Sequence, residues 1–130
     1  MATIAEIMNT RLITIGPEAP LGEAIELLIQ HRISGMPVVD AQGRILGVLS
    51  ERDLLRAFYE EARCVRDLMT PEPVSIAVDA PLVEVFDTLM ANTFRRVLIH
   101  ERGKLVGLIS RADLMPAVLD AIRDRAPAGG

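Results

Sequence analysis

Apolar residues recur along this chain with two alternating periods. From Leu21 to His31 the positions Leu21, Ala24, Ile25, Leu28 and Ile29 fall at i, i+3, i+4, i+7 and i+8, which predicts an amphipathic helix with one buried stripe. Leu82–Asn92 repeats the pattern through Leu82, Val85, Phe86, Leu89 and Met90. Around these helices lie short apolar runs without helical period. Arg11–Ile15, Met36–Val39 and Arg44–Leu49 read as strands in the first half, Val74–Ile76, Arg96–His100 and Lys104–Ile109 in the second. Gly16-Pro17-Glu18-Ala19-Pro20 ends the first strand, and Ala41-Gln42-Gly43 sits between two runs as a hairpin turn. Thr3–Met8 is a short amphipathic turn, and Val65–Met69 repeats it. Helices are expected over Ser50–Glu61 and Ser110–Arg123, with a frayed tail at Pro127–Gly130. The order is β-α-β-β-α, twice.

The register of the two halves shows a duplication. Met8 and Met69, Ile15 and Ile76, Pro20 and Pro81, and Leu28 and Leu89 each stand 61 residues apart. After the hairpin turn the spacing is 60, so that Gly43 matches Gly103, Gly47 matches Gly107, Ser50 matches Ser110 and Asp53 matches Asp113. The shift falls in a turn, where a change of length disturbs least. Repeats of this size bury a sheet face poorly alone and are expected to pack on each other. We expect an α/β fold: repeats over 1–62 and 63–124, a flexible tail over 125–130, and a pseudo-twofold body with a cleft at its seam.

The stretch shared most closely is Gly47–Leu55 with Gly107–Met115. In each, an apolar run meets a serine and an aspartate follows three residues later. Ser50 and Ser110 are placed to cap helices, with Asp53 and Asp113 in the first turns. Two readings stay open. Ser-x-x-Asp resembles a capping box, in which the acid reaches back to the N-cap amide. The same position is also where backbone N–H groups and helix dipole favour an anion.

Composition narrows the function classes. The 130 residues are 50% hydrophobic and 25% charged, an ordinary globular balance with material for a core. A net charge of −4 and 3% aromatics disfavour a nucleic-acid partner. Cys64, the only cysteine, cannot form an internal disulfide, which fits a reducing compartment. No apolar run approaches the roughly 18 residues of a membrane span and no signal segment opens the chain, so a cytoplasmic protein without a membrane is expected. The two histidines, His31 and His100, have no nucleophile or metal-ligand spacing around them, so catalysis by this chain is not expected.

Together, the β-α-β-β-α repeat, the Pro-Val-Val-Asp of Pro37–Asp40 and the two Gly-apolar-apolar-Ser-x-x-Asp stretches resemble a tandem pair of cystathionine β-synthase (CBS) domains over Thr3 to Ile122. The resemblance implies a Bateman module: intertwined repeats with clefts for AMP, ADP, ATP or S-adenosylmethionine. It requires no cofactor and takes the adenine nucleotide as a regulatory ligand. The helix-start aspartates, Asp53 and Asp113, would receive the ribose hydroxyls, a role that suits an ionised carboxylate in any case. Ser50 and Ser110 would bond ribose or phosphate oxygens. The adenine wall would fall on Thr14, Ile15, Met36, Pro37 and Val48 in one copy, and on Ser75, Ile76, Val97, Leu98 and Leu108 in the other. Taken singly, most of these are also ordinary core residues.

The copies differ where phosphate is expected. Arg95 and Arg96 stand where the first copy has Ser34 and Gly35, and Arg111 opens the last helix. The resemblance points Arg96 first, then Arg95, at phosphate, with Arg111 adding charge; the guanidinium fork suits phosphate oxygens. Leu98 and His100 replace Pro37 and Val39, so the clefts need not bind alike. The expected function is a regulatory module, a homodimer passing nucleotide occupancy to another protein. The alternative is a structural or dimerisation module with empty clefts, its Ser-x-x-Asp motifs serving only as caps.

Overall fold

A computed structural model of the chain describes residues 2–125. Its helices are α1 (Ile4–Ile7), α2 (Leu21–His31), α3 (Glu51–Leu55), α4 (Val65–Leu68), α5 (Leu82–Ala91) and α6 (Met115–Arg125). Its strands are β1 (Gly35–Val39), β2 (Ile45–Ser50), β3 (Thr70–Pro71), β4 (Ser75–Ala77), β5 (Arg96–Glu101) and β6 (Lys104–Ser110). The strands form two three-stranded sheets, ordered β1-β2-β3 and β4-β5-β6. No described helix is long and apolar enough to cross a membrane. The tail expected at Pro127–Gly130 lies outside the described residues.

Two compact units result, and neither is continuous in sequence. Of the described residues, one holds 12–74 with 102–105; the other holds those up to 11, 75–101 and those from 106 onward. In the first, Leu21, Ala24 and Leu28 of α2 meet Met36, Val38 and Leu49 of the sheet. Val65 and Leu68 of α4 complete that core. Residues 102–105 join this unit because Ile45 donates its amide to the Gly103 carbonyl (3.1 Å) and Leu105 to that of Gly43 (3.0 Å). In the second unit, Leu82, Val85 and Leu89 of α5 pack on Val97, Ile99 and Ile109, and Ile4 of α1 is fully buried among them. Each short opening helix thus seals a core built mainly from the other repeat.

The helical periodicity predicts α2 at its observed bounds and α5 to within one residue, Asn92 being its C-cap. The buried stripes are narrower than expected: Ile29 is 72% exposed and Met90 85%. The strand expected over Arg11–Ile15 is reduced to one parallel bridge from Ile15 to Val38. Ile15 donates to the Pro37 carbonyl and accepts from the Val39 amide. The next rung back would need an N–H at residue 37, and proline has none. Leu98 stands at that place in the second copy, and there β4 pairs with β5 over three residues, Ser75 with Leu98 through Ala77 with His100.

The helices after the serines are shorter than expected. α3 passes into a 3₁₀ turn over Arg56–Phe58 and does not reach Glu61. In the second copy a 3₁₀ turn over Ala112–Leu114 comes first and α6 begins only at Met115. Strand β3 has no counterpart in the apolar pattern: it is two exposed residues, one of them proline, pairing Pro71 with Gly47 and Thr70 with Val48. Gly47 allows that approach, since a Cβ there would lie 2.7 Å from the Thr70 carbonyl oxygen. Gly107 does the same for Met8, whose sulfur would lie 2.5 Å from an added Cβ.

Candidate functional site

Each Ser-x-x-Asp segment closes on itself at the end of a strand. In the first unit Asp53 Oδ2 accepts from the Ser50 amide and from the Ser50 hydroxyl, both at 2.9 Å. The Asp53 amide donates back to Ser50 Oγ at 3.1 Å. In the second unit Asp113 Oδ2 accepts from the Ser110 amide at 2.7 Å and the Ser110 hydroxyl at 2.9 Å. The Asp113 amide reaches Ser110 Oγ at 3.4 Å. The capping reading therefore holds for one carboxylate oxygen of each aspartate.

The other oxygen distinguishes the two turns. Asp53 Oδ1 accepts from the Thr70 hydroxyl at 3.3 Å. Asp113 Oδ1 accepts no hydrogen bond among the described residues. A carboxylate oxygen carries about two acceptor sites, and those of Oδ2 are filled in both turns. Asp113 is itself half-buried, its carboxylate held in place by the capping bonds of Oδ2.

Strand alternation sorts the expected wall residues into two faces. Ile15, Met36, Ile76 and Val97 belong to the hydrophobic cores. Pro37 pairs with Val48, and Gly35 with Ser50, on the opposite face of the first sheet. Thr14 lies half-buried just before the bridge at Ile15. In the second unit Ser75, Arg96, Leu98, Leu108 and Ser110 alternate with core positions in the same way. Pro37, Val48 and Ser50 therefore share a face with one turn, and Leu98, Leu108 and Ser110 with the other.

The segment entering the middle strand is tied to each turn. Glu51 donates its amide to the Ser34 carbonyl at 2.9 Å, and Arg111 to the Arg95 carbonyl at 3.1 Å. These equivalent bonds set Ser34 and Glu51 beside Ser50 and Asp53, and Arg95 and Arg111 beside Ser110 and Asp113. Arg95 and Arg111 are exposed; Arg96 is half-buried. Sequence reasoning missed Thr70. Its signal lies in the repeat register, where Thr70 corresponds to Asn9 and both lie against the strand that leads into the serine.

The fold has counterparts among known proteins. The CBS domain family matches residues 4–60 and again 65–120. The crystal structure of CBSX2 in complex with AMP superposes with a TM-score of 0.83 at 29% identity, covering 95% of this chain and 100% of that one. CBSX2 is a CBS-pair protein from Arabidopsis thaliana. A 17.7 kDa protein of Acidianus ambivalens is 30% identical across 92% of this chain and 76% of its own length. The inosine-5'-monophosphate dehydrogenase of Methanocaldococcus jannaschii is 30% identical over 85% of this chain, which spans 22% of that enzyme. With two matches to the family, each containing a β-hairpin that ends in a Ser-x-x-Asp turn, this chain belongs to the CBS domain family and carries two CBS domains in tandem.

Proposed function

We propose that this chain is a regulatory module that binds an adenosine-containing small molecule at its Ser-x-x-Asp turns and passes the occupancy to a partner protein. The observation that carries the proposal is Asp113 Oδ1, aligned by the bonds of Oδ2 to Ser110 and without a hydrogen-bond donor among the described residues. A ribose diol supplies two hydroxyl donors within reach of such an oxygen. Val48 and Leu108, both half-buried, offer apolar surface for a purine on the sheet faces that carry the turns, with the buried Pro37 and Leu98 beside them in the middle strands. The likeness to CBSX2, crystallised with AMP, supports this ligand class. Signalling requires different ligand affinity in two conformations, because equal affinity shifts no population. We place the module in the cytoplasm, as a homodimer.

A second reading is favoured by the completeness of the capping bonds. On it the turns only terminate strands, and exposed apolar residues such as Ile25, Ile29 and Met90 serve a dimer face. Thermal unfolding with AMP, ADP, ATP and S-adenosylmethionine separates the two. A ligand bound only by the folded chain, at a hundred times its dissociation constant, adds about 2.7 kcal/mol. The regulatory reading expects a raised melting temperature with at least one of the four. No rise at millimolar concentration leaves the structural reading.

A further inference from the structure

Strand β3 is lightly held. Both of its residues, Thr70 and Pro71, are exposed. It pairs with β2 only at Val48 and Gly47, and Pro71 has no N–H to give to the ladder. The Glu72 amide donates to the Leu46 carbonyl at 3.3 Å. Glu72 itself sits at φ 51°, a left-handed conformation that a residue with a Cβ adopts at a cost. After Glu72, Pro73 and Val74 the chain enters β4 of the other unit. Among the described residues β3 has one side-chain hydrogen bond, from Thr70 Oγ1 to Asp53 Oδ1. At 3.3 Å it is longer than the roughly 2.5–3.0 Å of a good hydroxyl bond.

That bond uses an acceptor site that a ligand needs. An ionised carboxylate offers about four such sites. At Asp53 the Ser50 amide and hydroxyl fill those of Oδ2, and Thr70 takes one on Oδ1. One site is left, enough for a single hydroxyl and too few for the two of a ribose diol. We infer that Thr70 is a latch: a diol docking on Asp53 Oδ1 displaces the Thr70 hydroxyl and loosens β3 from β2. Occupancy of the Ser50–Asp53 turn then reaches a segment that carries the chain from one unit into the other. This rests on the adenosine reading above and adds the route by which occupancy leaves the site. While the latch is closed it competes with the ligand, so the apparent affinity for a diol is lowered by the closed fraction. The matching segment of the second unit has no latch. Asn9 exchanges two backbone bonds with Leu108 and directs its side chain to the Arg11 amide.

The test is the rate at which the Glu72 amide exchanges with water, read by NMR on the full chain. The Ser50 amide, bonded to Asp53 Oδ2, reports occupancy of the turn. Saturating AMP is expected to shift the Ser50 amide and to speed Glu72 exchange several-fold. 2'-Deoxy-AMP has one ring hydroxyl for the one free site and should leave Glu72 as it was. In T70V the Glu72 amide should exchange at the faster rate without ligand, and AMP should speed it no further. T70S keeps the hydroxyl and should behave as the unaltered chain. Glu72 exchange that AMP leaves unchanged or slows, that both nucleotides speed alike, or that AMP still speeds in T70V overturns the latch; a shifted Ser50 amide then leaves the adenosine reading standing. AMP binding that never moves the Ser50 amide also overturns the latch. No AMP binding in calorimetry overturns the adenosine reading and the latch with it.

Discussion

The Thr70 hydroxyl stands 3.3 Å from Asp53 Oδ1, donating to the one oxygen that the capping bonds leave over. Asn9 occupies the matching place in the other unit. It exchanges backbone hydrogen bonds with Leu108, at 2.8 and 3.0 Å, but turns its side chain to the Arg11 amide at 2.9 Å. Among the described residues, Asp53 therefore has both oxygens engaged and Asp113 a single one.

Thr70→Val removes the donor and keeps the shape. Thr70 is exposed, so stability should change by less than about 1 kcal/mol in urea unfolding. Adenosine affinity at the Asp53 turn should rise several-fold in calorimetry. Unchanged or weaker binding would mean that Thr70 helps hold the ligand.

The serine caps are expected to matter for stability before any ligand is added. Ser50→Ala and Ser110→Ala each remove an acceptor for the aspartate amide and a donor to Oδ2, at a cost of about 1 kcal/mol. Chemical denaturation of the two variants measures it. A loss near zero in both would make the serines dispensable to the turns.

Much of this arrangement is legible in the sequence, and the remainder has physical reasons for being hidden. The 3.6-residue period of Leu21, Ala24 and Leu28 gives α2, and the 61- and 60-residue spacings expose the duplication. The Ser-x-x-Asp segments announce both their caps and their candidate chemistry. The pattern cannot show that α1 is buried with the second repeat's core and α4 with the first's, because an apolar stripe does not name its partner. Nor can it show β3, whose two exposed residues have no period at all. Pro37, read as part of a wall, also shortens the first strand by withholding an N–H.

Gly47 and Gly107 should tolerate no side chain. An alanine methyl would meet the Thr70 carbonyl oxygen at 2.7 Å in one case, and the Met8 side chain between 2.5 and 2.9 Å in the other. Gly47→Ala and Gly107→Ala should each destabilise the chain by about 1–3 kcal/mol, read from thermal unfolding. A wild-type melting temperature for Gly47→Ala would show that β3 moves aside freely.

Stability should fall in acid partly through Asp67. The backbone amides of Arg63 and Cys64, at 2.9 and 3.2 Å, hold its carboxyl below the ordinary value of 3.8. A carboxyl lowered in the folded state contributes stability above the unfolded value and loses it as pH falls through the folded one. Asp67→Asn should flatten the pH dependence of the melting temperature below about pH 4. The carboxyl is exposed, so the change is small; an unaltered acid limb would contradict it.

The most direct test follows the backbone amides of Ser50 and Ser110 by ¹H–¹⁵N correlation spectra during titration with AMP. Each amide donates to the Oδ2 of its aspartate, so hydroxyls docking on Oδ1 change the charge that it senses. The account predicts a saturable shift of the Ser110 amide with the same dissociation constant as the bulk binding, and loss of both in Asp113→Asn. Saturable AMP binding that leaves the Ser50 and Ser110 amides unmoved would contradict it.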